Sequence, residues 1–229
     1  MAKEKVLILG ASRGLGAALA REILSQDQNA PATEVFGVAR KEQHLETLQK
    51  ELGSRFQFQR LDLSKVESQD TFDSLLNEIA AKKIIYVAGG GPFGSFEHRP
   101  FESHQWAWRV TFEGAARTCH WALRQSLPPQ VILVGSTICE NQGDRHAASY
   151  AAAKHALKGL YESLRLEAPD WDLRMVSPGY LDTELLPKNA PVRYKEVWDP
   201  QKVAQEIVEW MKQKSNHGDH KVYPPYPEN

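Results

Sequence analysis

The eleven residues VLILGASRGLG, from Val6 to Gly16, lead from a short apolar run into a glycine-rich turn. The apolar run is typical of a buried strand, and the segment after the turn has the apolar spacing of a helix. Glycine in so tight a turn permits positive φ angles and a close approach of a ligand to the backbone. Because the N-terminus of a helix attracts anions, the stretch predicts a strand–turn–helix unit that binds the pyrophosphate of a dinucleotide. Its glycine spacing is a variant of the general dinucleotide-binding fingerprint.

The rest of the chain continues this alternation of short β-branched runs and longer amphipathic segments. Strands are predicted at residues 6–9, 35–38, 56–61, 84–87, 131–134 and 173–176. Helices are predicted at residues 16–24, 44–52, 71–80, 101–127, 150–167 and 203–211. Asp199 followed by Pro200 is a helix-start signal for the last of them. Alternation of this kind is typical of βαβ units, and it predicts an α/β fold built on a parallel sheet.

No feature of the sequence divides the chain into separate units. A chain of 229 residues can bury one substantial core, and it contains no repeat, low-complexity tract or Pro/Gly/Ser-rich linker. We therefore expect one domain over residues 1–229. Residues 215–229 are polar and proline-rich, and we expect them to form a tail that includes a short edge strand at 221–223.

Composition and charge exclude several classes of function. Lys and Arg number 28 against 29 Asp and Glu, so the chain lacks the basic excess that nucleic acid or an anionic membrane surface requires. No segment approaches the roughly 18 consecutive apolar residues of a membrane span, and the first apolar run is too short for the core of a signal peptide. We expect a cytoplasmic protein with neither nucleic acid nor membrane as a partner.

The cysteine and histidine residues give no sign of a metal site. Cys119 and Cys139 have no Cys or His neighbour at metal-ligand spacing, and we expect both to be buried free thiols. His217 and His220 lie in the polar tail without a supporting carboxylate cluster, so we expect them to be solvated. No metal is predicted.

The end of the second predicted strand indicates which dinucleotide is bound. Ala39, Arg40 and Lys41 stand where an acidic residue would accept hydrogen bonds from a ribose 2′-OH. A guanidinium suits a 2′-phosphate instead, and Arg13 in the glycine turn approaches the same group from the other side. Although Arg40 and Lys41 would also be ordinary residues at the start of a solvated helix, together they favour NADP(H) over NAD(H).

Tyr150 and Lys154 form the second chemical feature. Residues four apart share one face of a helix, so the Lys154 ammonium is expected beside the Tyr150 phenol, lowering its pKa from about 10 toward neutral pH. Hydride delivery to a carbonyl carbon leaves an alkoxide that needs such an acid. Ser136 ends the fifth strand and brings a hydroxyl to the same edge of the sheet. Thr137 competes for the substrate-positioning role, and Ser136 is preferred because it directly follows the strand end.

These residues resemble the short-chain dehydrogenase/reductase family, and the resemblance extends over nearly the whole chain. It implies a Rossmann-type, doubly wound sheet of seven parallel strands in the order 3-2-1-4-5-6-7, with helices on both faces, and a homodimer or homotetramer. In that family Tyr donates the proton, Lys also holds the nicotinamide ribose and Ser positions the substrate oxygen. The cofactor-binding set predicted here is Gly10, Ser12, Arg13, Gly14, Leu15, Gly16, Arg40, Asp62, Leu63, Ala88, Gly89, Gly90, Tyr150, Lys154, Pro178, Gly179 and Thr183. The catalytic set is Ser136, Tyr150, Lys154 and Thr111.

Two departures from the family pattern affect the expected chemistry. The Asn-Asn-Ala-Gly segment of the family is Tyr86-Val-Ala-Gly89 here, which keeps the close backbone approach and loses both amides. Thr111 stands at the position of an Asn that holds a water between the Lys and bulk solvent, and its hydroxyl replaces that amide only in part.

The sequence therefore predicts an NADPH-dependent oxidoreductase that acts on a small carbonyl or alcohol. The alternative is a noncatalytic NADP-binding protein that senses redox state or scaffolds partners. An epimerase or dehydratase of nucleotide sugars is less favoured, because those relatives carry a longer C-terminal substrate domain.

The substrate pocket is expected among the loops at the carboxyl edge of the sheet. Residues 186–198 are predicted to form a short lid, and residues 144–146 to face the pocket mouth. The apolar and aromatic character of these loops favours a compact hydrophobic or aromatic carbonyl substrate. Trp106, Trp108 and Trp121 lie on the long helix, where aromatic residues are more often part of the core or of a subunit interface.

Overall fold

Seven parallel strands form one sheet in the order β3-β2-β1-β4-β5-β6-β7. They are described by a computed structural model that covers residues 4–26, 33–65, 69–141, 143–214 and 219–227. The strands are β1 (Glu4–Leu9), β2 (Thr33–Ala39), β3 (Phe56–Arg60), β4 (Lys83–Tyr86), β5 (Gln130–Val134), β6 (Leu173–Ser177) and β7 (His220–Val222). The predicted fold class and strand order are both confirmed.

Burial explains why the central strands are continuous apolar runs. Val6, Ile8 and Ile85 pack against one helical layer, whereas Leu7 and Ile84 pack against the other. A parallel strand covered on both faces has no polar side, so it is apolar throughout. The edge strand β3 differs, since it alternates apolar and polar residues and only its first residue is fully buried.

Helices cover both faces of the sheet. They are α1 (Gly14–Ser25), α2 (Glu42–Leu52), α3 (Gln69–Ile79), α4 (Phe101–Trp108), α5 (Gly114–Leu123), α6 (Ala148–Glu167) and α7 (Pro200–Lys212). The helices α1, α2 and α7 contribute to one core and α3, α5 and α6 to the other. The predicted start of the last helix is confirmed, because the Asp199 side chain accepts a hydrogen bond of 2.9 Å from the Gln201 N–H and Pro200 follows as the first helical residue.

The predicted helix over residues 101–127 is wrong in two respects. A π-helical segment at Arg109–Glu113, called the π-turn below, interrupts it between α4 and α5. In addition, α5 ends at Leu123 and not at residue 127. The Tyr86 hydroxyl donates a hydrogen bond of 2.8 Å to the Val110 carbonyl inside the π-turn. The interruption therefore involves a side chain from a distant strand, which no local pattern reports.

The C-terminal edge strand is confirmed, and the prediction for one of the histidines is wrong. β7 pairs in parallel with β6, and its bounds lie one residue earlier than predicted. His220 is not solvated: its side chain is 18% exposed, and its Nε2 atom lies 3.0 Å from Glu140 Oε1 and 3.1 Å from Ser177 Oγ. Burial lowers the pKa of His220. His217 lies outside the described residues, as do 215, 216, 218 and the last two residues of the predicted tail.

Cys119 and Cys139 are buried free thiols, as the sequence predicts. Within the parts of the chain that the structure describes, none of the helices combines the length and apolar character needed to cross a bilayer.

Among the described residues, Arg174 has the largest fully buried side chain, and it connects β6 with the end of α7 by hydrogen bonds. Its guanidinium pairs with Asp172 at 2.7 and 3.0 Å. It also donates to the Trp210 carbonyl at 2.5 Å, in the last turn of α7, and to the Gln213 carbonyl at 2.7 Å, directly after the helix. Removal of the side chain would leave the Trp210 and Gln213 carbonyls without this donor, while the Asp172 carboxylate would keep the hydrogen bond of 2.7 Å from Gln130 Nε2.

We expect Arg174→Leu to lower the free energy of unfolding by about 3 kcal/mol, because the substitution removes a buried guanidinium and leaves two carbonyl groups without their donor. Arg21→Ala is the control, since Arg21 pairs with Glu51 at an exposed site and such pairs contribute at most about 1 kcal/mol. Urea denaturation of the three proteins measures both effects. Equal losses in the two variants would contradict the structural role assigned to Arg174.

Candidate active site

A cleft of about 580 Å³ lies at the carboxyl edge of the sheet and collects most of the predicted site residues. The predicted residues that line it are Gly10, Ser12, Arg13, Gly14, Leu15, Arg40, Asp62, Leu63, Ala88, Gly89, Ser136, Tyr150, Lys154, Pro178, Gly179 and Thr183. Gly16, Gly90 and Thr111 pack behind this lining and do not face the cleft. The edge at which these groups meet is the one where ligands bind in open α/β sheets.

The glycine turn has the geometry of a phosphate cradle. Gly10 and Gly14 have φ angles of +103° and +54°, a region in which other residues are strained. A Cβ atom on Gly10 would lie 2.6 Å from the Ala88 nitrogen, and one on Gly16 would lie 2.1 Å from the Gly10 oxygen. Arg13 occupies the N-cap of α1, and its side chain makes no capping hydrogen bond. The side chain at the N-cap therefore leaves the first N–H groups of the helix uncapped, and Gly14 at this helix start lines the cleft. Free N–H groups at a helix start suit the pyrophosphate of a dinucleotide.

Cationic side chains stand at the end of the cleft where a nucleotide 2′-phosphate is predicted. The Arg40 guanidinium lies 4.9 Å from the centre of the Trp106 ring. Arg13 is already engaged, because its Nη1 atom forms an ion pair with Glu184 from the loop after β6. Asp62 holds its own turn, accepting hydrogen bonds from the Ser64 N–H at 3.0 Å and the Ser64 hydroxyl at 2.6 Å. The donor set thus fits a phosphorylated nucleotide.

Three of the four side chains of the predicted catalytic set lie together in the wall of the cleft. Ser136 follows β5, and Tyr150 and Lys154 lie one turn apart on α6. The Ser136 hydroxyl accepts a hydrogen bond of 3.3 Å from the Ile138 N–H, and it lies close enough to the Tyr150 phenol to act on its pKa. Lys154 Nζ donates a hydrogen bond of 2.5 Å to the Val134 carbonyl and lies 5.6 Å from the centre of the Tyr150 ring. Thr137 also lines the cleft, and its N–H donates to the Pro178 carbonyl at 2.9 Å.

The expected lowering of the Tyr150 pKa is not found. Burial raises the pKa of Tyr150 to about 12, and the nearby Ser136 hydroxyl opposes this rise without reversing it. Burial also lowers the pKa of Lys154 to about 8. The prediction considered the charge of the Lys154 ammonium and left out the burial of both groups. The ammonium also donates its hydrogen bond to the Val134 carbonyl, not to the phenol. At neutral pH Tyr150 is therefore a protonated phenol that can act as an acid.

Three consecutive glycines after β4 let the neighbouring helices approach the strand end. A Cβ atom on Gly89 would lie 3.3 Å from Lys154 Nζ, and one on Gly91 would lie 2.9 Å from the Tyr150 Cβ atom. A Cβ atom on Gly90 would lie 2.8 Å from the Trp106 ring. Larger side chains in this run would displace both members of the Tyr150–Lys154 pair.

Thr111 stabilises this glycine run from behind. It is fully buried, and its hydroxyl accepts a hydrogen bond of 3.1 Å from the Gly90 N–H. The same hydroxyl lies 3.3 Å from the Gly90 oxygen, to which it donates. Because Thr111 does not face the cleft, its observed contacts are those of a residue that holds the backbone, and its part in a proton relay stays a prediction.

Sequence reasoning missed a second buried pair, formed by Tyr86 and Gly114. Tyr86 stands at the first Asn position of the family segment, and its hydroxyl reaches the Val110 carbonyl in the π-turn. A Cβ atom on Gly114 would lie 2.1 Å from that hydroxyl. π-turns often occur at functional sites, and this one carries Thr111. A tyrosine in place of the amide was the signal available in the sequence, but its partner could not be inferred.

We expect Gly114→Ala to lower the free energy of unfolding by about 2 kcal/mol, because the added methyl group collides with the Tyr86 hydroxyl. In a Tyr86→Phe background the same substitution should cost at least about 1 kcal/mol less, since the hydroxyl is gone. Chemical denaturation of the four proteins of this cycle measures the coupling.

Gly159→Ala on α6 is the matched control, because a Cβ atom there has nothing within 4 Å. It should leave stability unchanged or raise it by up to about 1 kcal/mol. Additive effects of the Tyr86 and Gly114 substitutions would show that the two residues are not coupled.

Comparison with known proteins agrees with this geometry. Residues 4–192 match the family model described as short chain dehydrogenase. An uncharacterized oxidoreductase of Mycobacterium tuberculosis is 28% identical over 203 residues, covering 82% of this chain and 77% of the relative. The NADPH-dependent pterin aldehyde reductase of Arabidopsis thaliana is 28% identical over 203 residues, covering 81% and 78%.

Solved structures show the same fold. An alcohol dehydrogenase from Thermococcus sibiricus, complexed with 5-hydroxy-NADP, superposes with a TM-score of 0.81 at 22% identity and covers 99% of this chain and 100% of that one. Fold, site geometry and the match over residues 4–192 agree: the chain belongs to the short-chain dehydrogenase family of oxidoreductases.

Proposed function

We propose that this chain is an NADPH-dependent oxidoreductase that transfers hydride between nicotinamide and a small carbonyl or alcohol, with Tyr150 as the general acid and base. One observation carries the proposal. Ser136, Tyr150 and Lys154 line the same cleft as the glycine turn. A dinucleotide held by that turn and extended along the cleft would bring its reactive ring to these three side chains.

Different residues of the cleft would bind different parts of the cofactor. The turn from Gly10 to Gly16 would hold the pyrophosphate, and Arg40 would hold the 2′-phosphate. Lys154 would hold the nicotinamide ribose, and Pro178, Gly179 and Thr183 would contact the nicotinamide side. When bound, the cofactor supplies the hydride. The Arabidopsis relative is an NADPH-dependent reductase and the Thermococcus enzyme was solved with 5-hydroxy-NADP, which supports the choice of NADP(H) for this chain.

The protein's own contribution is the proton. As the carbonyl carbon gains hydride, its oxygen becomes an alkoxide and takes the proton of the Tyr150 phenol. The Ser136 hydroxyl, which lines the same cleft close to that phenol, would position the oxygen. A phenol whose pKa is raised to about 12 is fully protonated at neutral pH. The protonated phenol is the form that reduction of a carbonyl requires, whereas oxidation of an alcohol requires the phenolate.

The walls of the cleft favour a compact, apolar carbonyl compound. Phe93, Leu185, Leu186 and Val192 line it from the loops after β4 and β6. We propose that residues 186–198 act as a short lid over the substrate, as the sequence predicts. An aldehyde or an aromatic ketone fits these surroundings, and the Arabidopsis relative is a pterin aldehyde reductase.

We also propose that the chain forms a homo-oligomer through α4, α5 and α6. Phe101 and Trp108 on α4 are 65% and 45% exposed, and Leu166 on α6 is 85% exposed. Apolar residues of this size are suited to a subunit interface. Light scattering of the purified protein should give a mass of two or four chains, and a monomer would contradict this proposal.

We expect Tyr150→Phe to reduce turnover of NADPH with a carbonyl substrate by about a thousandfold, since proton transfer contributes roughly 10²–10⁴ to the rate. The dissociation constant for NADPH should change by less than about threefold. The experiment follows NADPH absorbance with a panel of aldehydes and ketones, and NADH in parallel.

Tyr223→Phe is the matched control, because it removes a buried hydroxyl that bonds Glu206 away from the cleft. It should retain turnover. Turnover preserved in Tyr150→Phe would overturn the mechanism. NADPH binding without oxidation by any carbonyl in the unmodified protein would favour the noncatalytic alternative.

We expect the rate of carbonyl reduction to fall as pH rises through about 8. Burial lowers the pKa of Lys154 to about 8, so its ammonium is present below that pH and is lost above it. Tyr150, with a pKa of about 12, stays protonated over the same interval. A profile of kcat/KM between pH 6 and 10 measures the effect, and Lys154→Met should be slow at every pH. A flat profile up to pH 10 in the unmodified protein would contradict the role of Lys154.

A further inference from the structure

Trp106 does not occupy the environment that the sequence predicts for it. Trp121 is buried in the core and Trp108 is largely exposed, but Trp106 lines the cleft together with the glycine turn and the catalytic residues. Its ring lies against Gly90, and a Cβ atom on that glycine would also lie 3.4 Å from Leu185 of the loop after β6. Gly90 therefore leaves the space in which the indole extends over the cleft.

The indole has two properties of a side chain whose surroundings are completed by a ligand. Its Nε1–H is buried and has no hydrogen-bond acceptor among the described residues, although buried donors are almost always paired. Its face is covered by the Arg40 guanidinium at 4.9 Å from the ring centre, which is within the range of a cation–π contact.

This contact connects two elements that the chain order does not bring together. Arg40 follows β2, and Trp106 lies on α4. An exposed arginine side chain has many rotamers, and holding it in one of them lowers the entropy lost when it binds a phosphate. Arg13, the other cation predicted at this end of the cleft, is paired with Glu184. Arg40 is thus the guanidinium held toward the cleft by an aromatic ring.

We infer that Trp106 is a positioning residue for cofactor choice: its ring holds Arg40 where the 2′-phosphate of NADP(H) binds, so that Trp106 contributes to discrimination against NAD(H). The inference rests on the proposed NADP dependence. It adds a residue on the long helix to a discrimination that Arg40 and Arg13 would otherwise provide alone.

The test uses two nucleotides that differ by the phosphate in question. Adenosine 2′,5′-bisphosphate and adenosine 5′-monophosphate are titrated into the full-length protein by calorimetry, so that neither hydride transfer nor the nicotinamide enters the measurement. The variants are Arg40→Met, Trp106→Leu and Trp106→Phe. Trp108→Leu is the control, because Trp108 lies on the same helix, contacts Phe112 and does not line the cleft.

The unmodified protein should bind the bisphosphate at least tenfold more tightly than the monophosphate. Arg40→Met should remove most of this preference. Trp106→Leu should reduce it roughly fivefold to tenfold, which is the size expected for a partly desolvated cation–π contact, and leave monophosphate affinity within twofold. Trp106→Phe keeps a ring face and should retain more of the preference than Trp106→Leu. Trp108→Leu should change neither affinity.

The outcomes separate the two proposals. If the unmodified protein binds both nucleotides equally well, the proposed NADP dependence is wrong. If it prefers the bisphosphate and Arg40→Met loses that preference while Trp106→Leu keeps it, the inference about Trp106 is wrong and NADP dependence stands. Equal weakening of both nucleotides by Trp106→Leu would also overturn the inference, because the ring would then be a general wall. If Trp106→Leu does not fold, Trp106→Phe decides: its smaller ring should lower the preference roughly twofold to threefold, and a preference equal to that of the unmodified protein would overturn the inference.

Discussion

Close backbone packing at the ends of β1 and β4 is the constraint on which the site depends. Gly10 lies so near the Ala88 nitrogen that no side chain fits between the two strand ends. Gly89 and Gly91, a few residues further along, leave room for Lys154 and Tyr150. The glycine turn and the Tyr150–Lys154 pair are therefore positioned by the ends of the same two neighbouring strands.

Most of the fold could be predicted because it rests on local patterns. A parallel sheet covered by helices requires continuous apolar strands, and these are visible in runs such as VLIL at β1. The glycine spacing predicted the turn between β1 and α1, and the Tyr150–Lys154 spacing predicted that both residues lie on one helix. Ser136 could be added because the carboxyl ends of parallel strands share one edge. The structure brings these residues together in one cleft, although their chemical roles remain proposals.

What could not be predicted depends on contacts between distant parts of the chain. The π-turn involves Tyr86 from another strand, and the burial of His220 depends on Glu140 and Ser177. The position of Trp106 depends on Gly90, which permits the indole to lie over the cleft. The pKa of Tyr150 depends on burial, and a helical spacing reports which residues are neighbours without reporting how much water surrounds them.

In the proposed complex, the glycine turn holds the dinucleotide, and the Tyr150 phenol contacts the oxygen of a carbonyl whose carbon lies next to the nicotinamide. A crystal structure of the protein with NADPH and an unreactive carbonyl analogue measures this most directly. The pyrophosphate should lie against the turn from Gly10 to Gly16, and Tyr150 Oη should lie within roughly 2.6–3.2 Å of the analogue's oxygen, with the nicotinamide C4 atom next to the carbonyl carbon. A dinucleotide bound elsewhere, or a phenol separated from that oxygen by the width of the cleft, would contradict the claim.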